Sequence, residues 1–288
     1  MPFFKRDNVK IYYEDVGKGE PIIANHGLSE NTIYWSESGV TAKLTEKYRM
    51  ISMDMRAHGR TVVEGEPYGY DADTMATDFD ALADHLGIDK FHILTHATGG
   101  MVGVRYAMTK SERLISLMLV DTGSATMPDY YIKNPPPTPS EEEIKAYRNW
   151  VQNASLDDII QASRKNPGEF LFKMAEHPDS DRMWDIWKEV MRVQDREALA
   201  QFRSVFYTDP DHRIESLRQI KCPTLILIGE FDIVFLSASE IMAKEIPDNR
   251  HVIIPGVGHM TNIENTEGFL KEVFDFLENV KKTGKANK

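Results

Sequence analysis

His259 closes the run Gly256-Val257-Gly258-His259, and a histidine presented by a glycine-rich loop can take and return a proton near neutral pH. A carboxylate precedes it at Asp232, in Gly229-Glu230-Phe231-Asp232, where the plainer reading is a helix cap. A third stretch, Thr95-His96-Ala97-Thr98-Gly99-Gly100, collects small residues between an apolar run and a helical pattern. A joint of that kind can be sharp enough to lift one side chain above a sheet, because small flanking residues let the backbone close tightly. The residue between the flanks is Ala97, whose side chain is an unreactive methyl group. Asn25-His26-Gly27-Leu28 and Asp54-Met55-Arg56-Ala57-His58-Gly59 are further polar turns after apolar runs. In these, His26, His58 and Asp54 read as residues that shape loops rather than as catalysts.

Other chemistries lack their residues. His92 and His96 have a spacing that would share one face of a helix. They fall on a predicted strand and its exit, where four residues span roughly 13 Å and cannot share one ion. Cys222 is the single cysteine, so no intramolecular disulfide forms, and its place before an apolar run suits a small buried hydrophobe. Thr98-Gly99-Gly100 lacks the spacing of a dinucleotide fingerprint. No metal and no cofactor is expected.

The elements that must hold these residues are legible as periodicity. Val9 to Asp15 alternates and reads as a strand on the edge of a sheet. Pro21 to Asn25, Tyr48 to Met53, Phe91 to Thr95 and Leu114 to Val120 read as further strands, with helices over Asp71 to Leu86 and Gly99 to Met108 between them. That alternation predicts a mainly parallel sheet covered on both faces. From about Ser124 to Arg213 the pattern is helical only. It contains the stiff segment Pro135-Pro136-Pro137 and a capping-box spacing from Ser140 to Glu143. Strands resume at Thr224 to Gly229 and His251 to Pro255, and a last helix spans Thr266 to Val280. The Lys-rich tail beyond it is expected to be disordered.

These segments, in this order and at these strand ends, resemble the α/β-hydrolase superfamily from Val9 to Val280. The resemblance implies a mainly parallel α/β sheet of the eight-stranded type with helices on both faces and a helical cap. Residues 1–123 and 214–288 would form the core and 124–213 the cap. It places Ala97 at the nucleophile position, which the family usually fills with Ser and sometimes with Asp or Cys, and Thr95 where a glycine is usual. Asp232 falls where the family keeps the acid that orients its histidine, with Asp121 as a rival, and His259 falls at that histidine. The oxyanion hole would use the backbone N–H groups of Leu28 and Thr98, which a change of side chain at position 97 leaves in place. An apolar substrate wall is expected from Trp35, Met101, Met127, Tyr131, Trp184, Trp187 and Val234.

The reaction so implied, with serine at position 97, is acyl transfer from a medium-sized apolar or aromatic ester or lactone. A carbon–carbon bond hydrolase or a cofactor-free dioxygenase could use the same scaffold, since fold alone does not decide reaction. Ala97 has two explanations: replacement of a catalytic serine, as is done to trap a substrate complex, or a natural ligand-binding protein without catalysis. Retention of Asp232, His259 and the loop glycines favours replacement, because drift would be free to lose them.

Bulk composition narrows the partners. The 288 residues carry a formal net charge of −11, which argues against nucleic acid or an anionic membrane, both of which need a basic surface. The amino terminus meets charge at Lys5-Arg6-Asp7, too soon for a signal peptide. No apolar stretch approaches the roughly 20 residues that span a bilayer. A cytoplasmic enzyme acting on a small molecule is the expectation.

Overall fold

Nine strands form one sheet in the computed structural model, which describes residues 2–287. They are β1 (Phe3–Arg6), β2 (Val9–Gly17), β3 (Pro21–Asn25), β4 (Arg49–Met53), β5 (Val62–Val63), β6 (Phe91–His96), β7 (Leu114–Val120), β8 (Thr224–Gly229) and β9 (Asn249–Ile254). The spatial order is β1-β2-β4-β3-β6-β7-β8-β9, with β5 beside β2. Every pairing from β4 through β3 to β9 is parallel, and only the contacts of β2 are antiparallel. The fold is thus the mainly parallel α/β sheet expected. Its central strands explain why: β6 and β8 are buried along their whole length, as a sheet covered on both faces requires. β2, by contrast, buries Val9, Ile11 and Tyr13 and exposes Lys10 between them.

Helices α1 (Thr32–Glu37) and α2 (Val40–Leu44) follow β3, while α3 (Ala72–His85) and α4 (Ala97–Lys110) flank β6 in sequence. Between β7 and β8 the chain runs through α5 (Asp129–Lys133), α6 (Glu141–Asn153), α7 (Leu156–Lys165), α8 (Gly168–Glu176), α9 (Ser180–Met191), α10 (Arg196–Phe206) and α11 (Ile214–Leu217), without a strand. Then come α12 (Leu236–Glu245), α13 (Thr261–Glu264) and α14 (Thr266–Thr283). Two apolar clusters sandwich the sheet. One joins Met75, Phe79 and Leu82 of α3 to Met101 and Val104 of α4. The other joins Tyr34 and Trp35 of α1 to Phe269, Val273 and Phe276 of α14.

Local chemistry sets the helix ends. Asp71 caps α3 by accepting the Thr74 N–H, and Ser140 forms the full capping box with Glu143 at the start of α6. Two expectations are corrected. Val9–Asp15 is not the edge, because β1 lies outside β2, its Phe3 to Arg6 pairing antiparallel with Tyr12 to Val9. The tail is not loose over its described part either. α14 runs on to Thr283 and ends at Gly284, which takes the left-handed conformation (φ +69°) that suits glycine. Beyond it Ala286 is buried, and its N–H donates to Asp248 Oδ1 at 3.1 Å.

Candidate active site

β6 ends at His96 and α4 begins at the next residue, so the strand turns into the helix within one peptide. Ala97 takes the bend with φ +47°, a left-handed conformation that a residue bearing a Cβ adopts at a cost of about 1–3 kcal/mol. Its neighbours hold it there. The Thr122 hydroxyl donates to the Ala97 carbonyl at 2.6 Å. Gly99 must lack a side chain because a Cβ would run into the backbone carbonyls of Asn25 and His26. Strain that serves to raise a side chain is therefore retained around a side chain that is only a methyl.

Asp232 and His259 meet. The His259 Nδ1 donates to Asp232 Oδ2 at 2.8 Å, with the acid fully buried and the imidazole 6% exposed. Asp232 Oδ1 accepts the N–H groups of Val234 at 3.2 Å and Phe235 at 3.1 Å, which fixes the carboxylate at the entry to α12. Capping and orienting a histidine are thus done by different oxygens of one group. With Nδ1 engaged as donor, Nε2 carries the lone pair of a neutral ring and can act as base. Asp121 makes no such bond. Its carboxyl accepts the Gly229 N–H at 3.0 Å and the Thr261 N–H at 3.3 Å, tying the exit of β8 to the loop that carries His259. Burial and then the nearby Asp232 hold its pKa well above the usual carboxylate range.

The loop at Gly27 to Asn31 supplies the opposite wall. Among the described residues the Leu28 N–H has no protein acceptor. Thr98 lies in the first turn of α4, where N–H groups have no partner within the helix. Several side chains clamp this loop. Gln194, between α9 and α10, donates to the carbonyls of Ser29 at 3.0 Å and Glu30 at 2.9 Å, and its Oε1 accepts the Gly59 N–H at 3.2 Å. Asn31 donates to the Val190 carbonyl at 2.7 Å. Glu30 folds back to accept the Gly27 N–H at 2.5 Å.

Glu30 also pairs with His96. The Glu30 carboxylate lies 3.0 Å from His96 Nδ1, and the other ring nitrogen donates to the His259 carbonyl at 2.9 Å, 3.7 Å from Asp121. Burial alone would lower the His96 pKa, but Glu30 and then Asp121 outweigh it and raise it to about 9. The residue just before Ala97 is therefore a buried cation that links the Gly27–Asn31 loop to the loop of His259. A Cβ on Gly27 would lie 2.9 Å from the Glu30 carboxylate, 2.9 Å from His96 Nδ1 and 3.0 Å from the Ala97 Cβ, which shows how closely these groups converge.

The residues expected to line the substrate are dispersed. Val234 lies two residues after Asp232, to whose carboxylate its N–H donates, and Tyr131 is close enough for burial, then Glu169, Tyr130, Tyr207 and Asp232, to push its hydroxyl pKa up. Met101 is fully buried in α4, and Met127 is partly buried, its N–H donating to the Asp209 carbonyl at 2.9 Å. Trp35 of α1 and Trp184 and Trp187 of α9 lie together in the apolar cluster beneath the sheet face that α14 covers. The rings found against His259 are others: Phe170 of α8 at 4.6 Å and Phe235 at 5.5 Å between centroids. Neither Phe170 nor Phe235 stands out in the sequence, since each is one apolar residue in an amphipathic stretch. Tyr207 was also missed. Its hydroxyl lies 2.6 Å from that of Thr98, and burial raises its pKa to about 12.

No group of three or more His, Cys, Asp or Glu among the described residues could hold a metal ion, and no described helix is long and apolar enough to cross a membrane. His92 instead hydrogen-bonds Ser116 at 2.8 Å, inside the sheet.

Comparison with known proteins agrees with this architecture. A family model described as alpha/beta hydrolase fold matches residues 20–266. The chain is 26% identical to a non-heme haloperoxidase of Rhodococcus erythropolis over 96% of its own length and 100% of that protein's. It is 27% identical to a putative carbamate hydrolase of Pseudomonas savastanoi, over 89% and 93% of the two chains. Among solved structures, a carboxylesterase of the thaumarchaeon Nitrososphaera gargenis superposes with a TM-score of 0.80 at 22% identity, covering 98% of this chain and 99% of that one. The enol-lactonase of Burkholderia xenovorans superposes with a TM-score of 0.72 at 20% identity, covering 96% and 100%.

Proposed function

Because the chain belongs to the α/β-hydrolase fold family, we propose that its site is that of a carboxylic ester or lactone hydrolase working by a Ser-His-Asp mechanism, with Ala97 standing where the serine would act. The observation that carries this reading is the 2.8 Å bond between His259 and buried Asp232 beside a strained turn whose apex is residue 97. The same retention favours Ala97 as the replacement of a serine. Residues 124–213 are read as the cap of the site. Phe170, Phe235 and Tyr131 near the His259–Asp232 pair favour an apolar or aromatic group in the substrate.

With Ser at 97, His259 Nε2 takes the hydroxyl proton as the oxygen attacks the carbonyl carbon. The resulting oxyanion is held by the N–H groups of Leu28 and Thr98. His259 then gives its proton to the departing alcohol, and a water repeats the sequence on the acyl-enzyme. Asp232 holds the ring in the donating tautomer and stabilises the imidazolium. As it stands, the protein keeps the base and the donors but has no nucleophile.

The test is hydrolysis of phenyl acetate and of simple aryl lactones. Ala97→Ser is expected to gain up to about 10⁶-fold in turnover over the Ala97 protein. Asp232→Asn in that background is expected to lose about 10⁴-fold. Tight ligand binding by Ala97→Ser with no hydrolysis of any ester or lactone would overturn the reading.

A further inference from the structure

The last turn of α10 and the residue that ends it reach side chains beside both expected oxyanion donors. Arg203 Nη2 donates to the Ser29 hydroxyl at 3.3 Å, and Ser29 directly follows Leu28. One helical turn later the Tyr207 hydroxyl meets Thr98, which directly follows Ala97. The two residues, four apart, thus touch Ser29, next to Leu28, and Thr98. Arg203 differs from most arginines of the chain in having no carboxylate within ion-pair distance among the described residues. Arg203 is exposed, and its one hydrogen bond among the described residues is the one to Ser29, so most of its guanidinium N–H groups are open to solvent and to a ligand. Ser29 is 6% exposed, its φ is +62°, and its hydroxyl accepts from Arg203 while its own proton has no acceptor. A buried hydroxyl and an exposed guanidinium with no carboxylate partner therefore lie side by side next to Leu28, with N–H and O–H groups left for a ligand.

We propose that Arg203 and Ser29 form an anion subsite that recognises a carboxylate on the acyl part of the substrate, so that the substrates are half-esters or acidic lactones; this rests on the hydrolase reading above. The side of the scissile bond follows from the opposite wall. The leaving alcohol must lie within reach of His259, whose ring packs against the touching pair Phe170 and Phe235, an apolar setting that suits an aryl group and repels a carboxylate. Arg203 and Ser29 approach from the Leu28 side, where the acyl chain is left. A guanidinium also matches a carboxylate in a two-bond fork, which Lys cannot do.

The Ala97 protein itself provides the test, since it can bind an ester without consuming it. Calorimetric titration with monophenyl glutarate and with its neutral methyl ester should give about tenfold or greater preference for the acid at low salt, shrinking as salt is added. Arg203→Gln should bring the ratio of the two dissociation constants to about one, and Arg203→Lys should keep part of it. Arg148→Gln, which removes an exposed arginine of α6, should leave the ratio as it was. Equal affinities, no binding of the acid, or a ratio indifferent to Arg203→Gln overturns the subsite, whatever Ala97→Ser does to phenyl acetate. An Arg203-dependent ratio in a protein whose Ala97→Ser form hydrolyses nothing keeps the subsite and removes the hydrolase.

Discussion

Glu30 and His96 are brought into contact inside the protein by the parallel pairing of β3 with β6, which sets the loop after one strand beside the end of the other. Both are almost wholly buried, so each ion depends on the other. Glu30→Gln keeps the shape and removes the charge that holds His96 protonated. Such a loss of one partner costs on the order of 3–5 kcal/mol, whereas the double variant Glu30→Gln/His96→Gln should cost markedly less, because no uncompensated ion remains. Urea denaturation of the three variants checks this, and a double variant as unstable as the sum of the singles would refute the pairing. Residues of this kind were not legible beforehand. Asp232 and His259 could be read because each sits in a local run, a strand exit and a glycine loop, that announces its geometry. Glu30 lies in an ordinary polar turn, and His96 drew notice only for its spacing from His92. Their roles depend on a long-range contact that no local pattern encodes.

At the scale of elements, the insertion between β7 and β8 touches the site through Gln194 as well as Arg203. Gln194 fixes two carbonyls of the loop that presents Leu28, while its own carbonyl is held by Gly59. Gln194→Ala should let that loop relax, and a donor displaced from the oxyanion loses most of its value. In the Ala97→Ser background we expect kcat to fall about ten- to a hundredfold with little change in far-UV circular dichroism or in KM. An unchanged kcat would show that the loop holds itself. The elements themselves were largely legible. β7 and β8 begin and end where their apolar runs do, because a strand buried on both faces has no polar alternation to blur its limits. β1 was missed because Phe3-Phe4-Lys5-Arg6 is short and half charged, and its strand state comes from pairing with β2. α4 begins two residues earlier than its pattern suggested, since Ala97 and Thr98 carry no apolar signal.

Across the whole molecule, the buried titratable groups do not balance about neutrality. On the acid side they oppose one another. Burial lowers the pKa of His58 and His92 to about 4 and that of His26 well below 6.5, so their contribution to stability is lost as pH falls through the range from 6.5 to 4. Burial raises Asp54 to about 6 and Asp121 well above 3.8, and acidification over the same range relieves them. On the alkaline side His96, Cys222 and Tyr207 all act in one direction. His96, raised to about 9, contributes stability fully present below 6.5 and lost as pH rises through 9. Cys222, pushed up by burial to about 11, and Tyr207, pushed up to about 12, extend the loss at higher pH. The pH profile of unfolding free energy should therefore fall steeply above 7, while below 6.5 the opposed groups offset one another in part. One fully titrating group contributes about 1.4 kcal/mol per pH unit, so His96 alone gives on the order of 2 kcal/mol between pH 7 and 9. Urea denaturation at pH 5, 7 and 9 measures it, and the fall from 7 to 9 should be largely absent in His96→Gln. An equally steep alkaline fall in that variant would place the proton on a group other than His96.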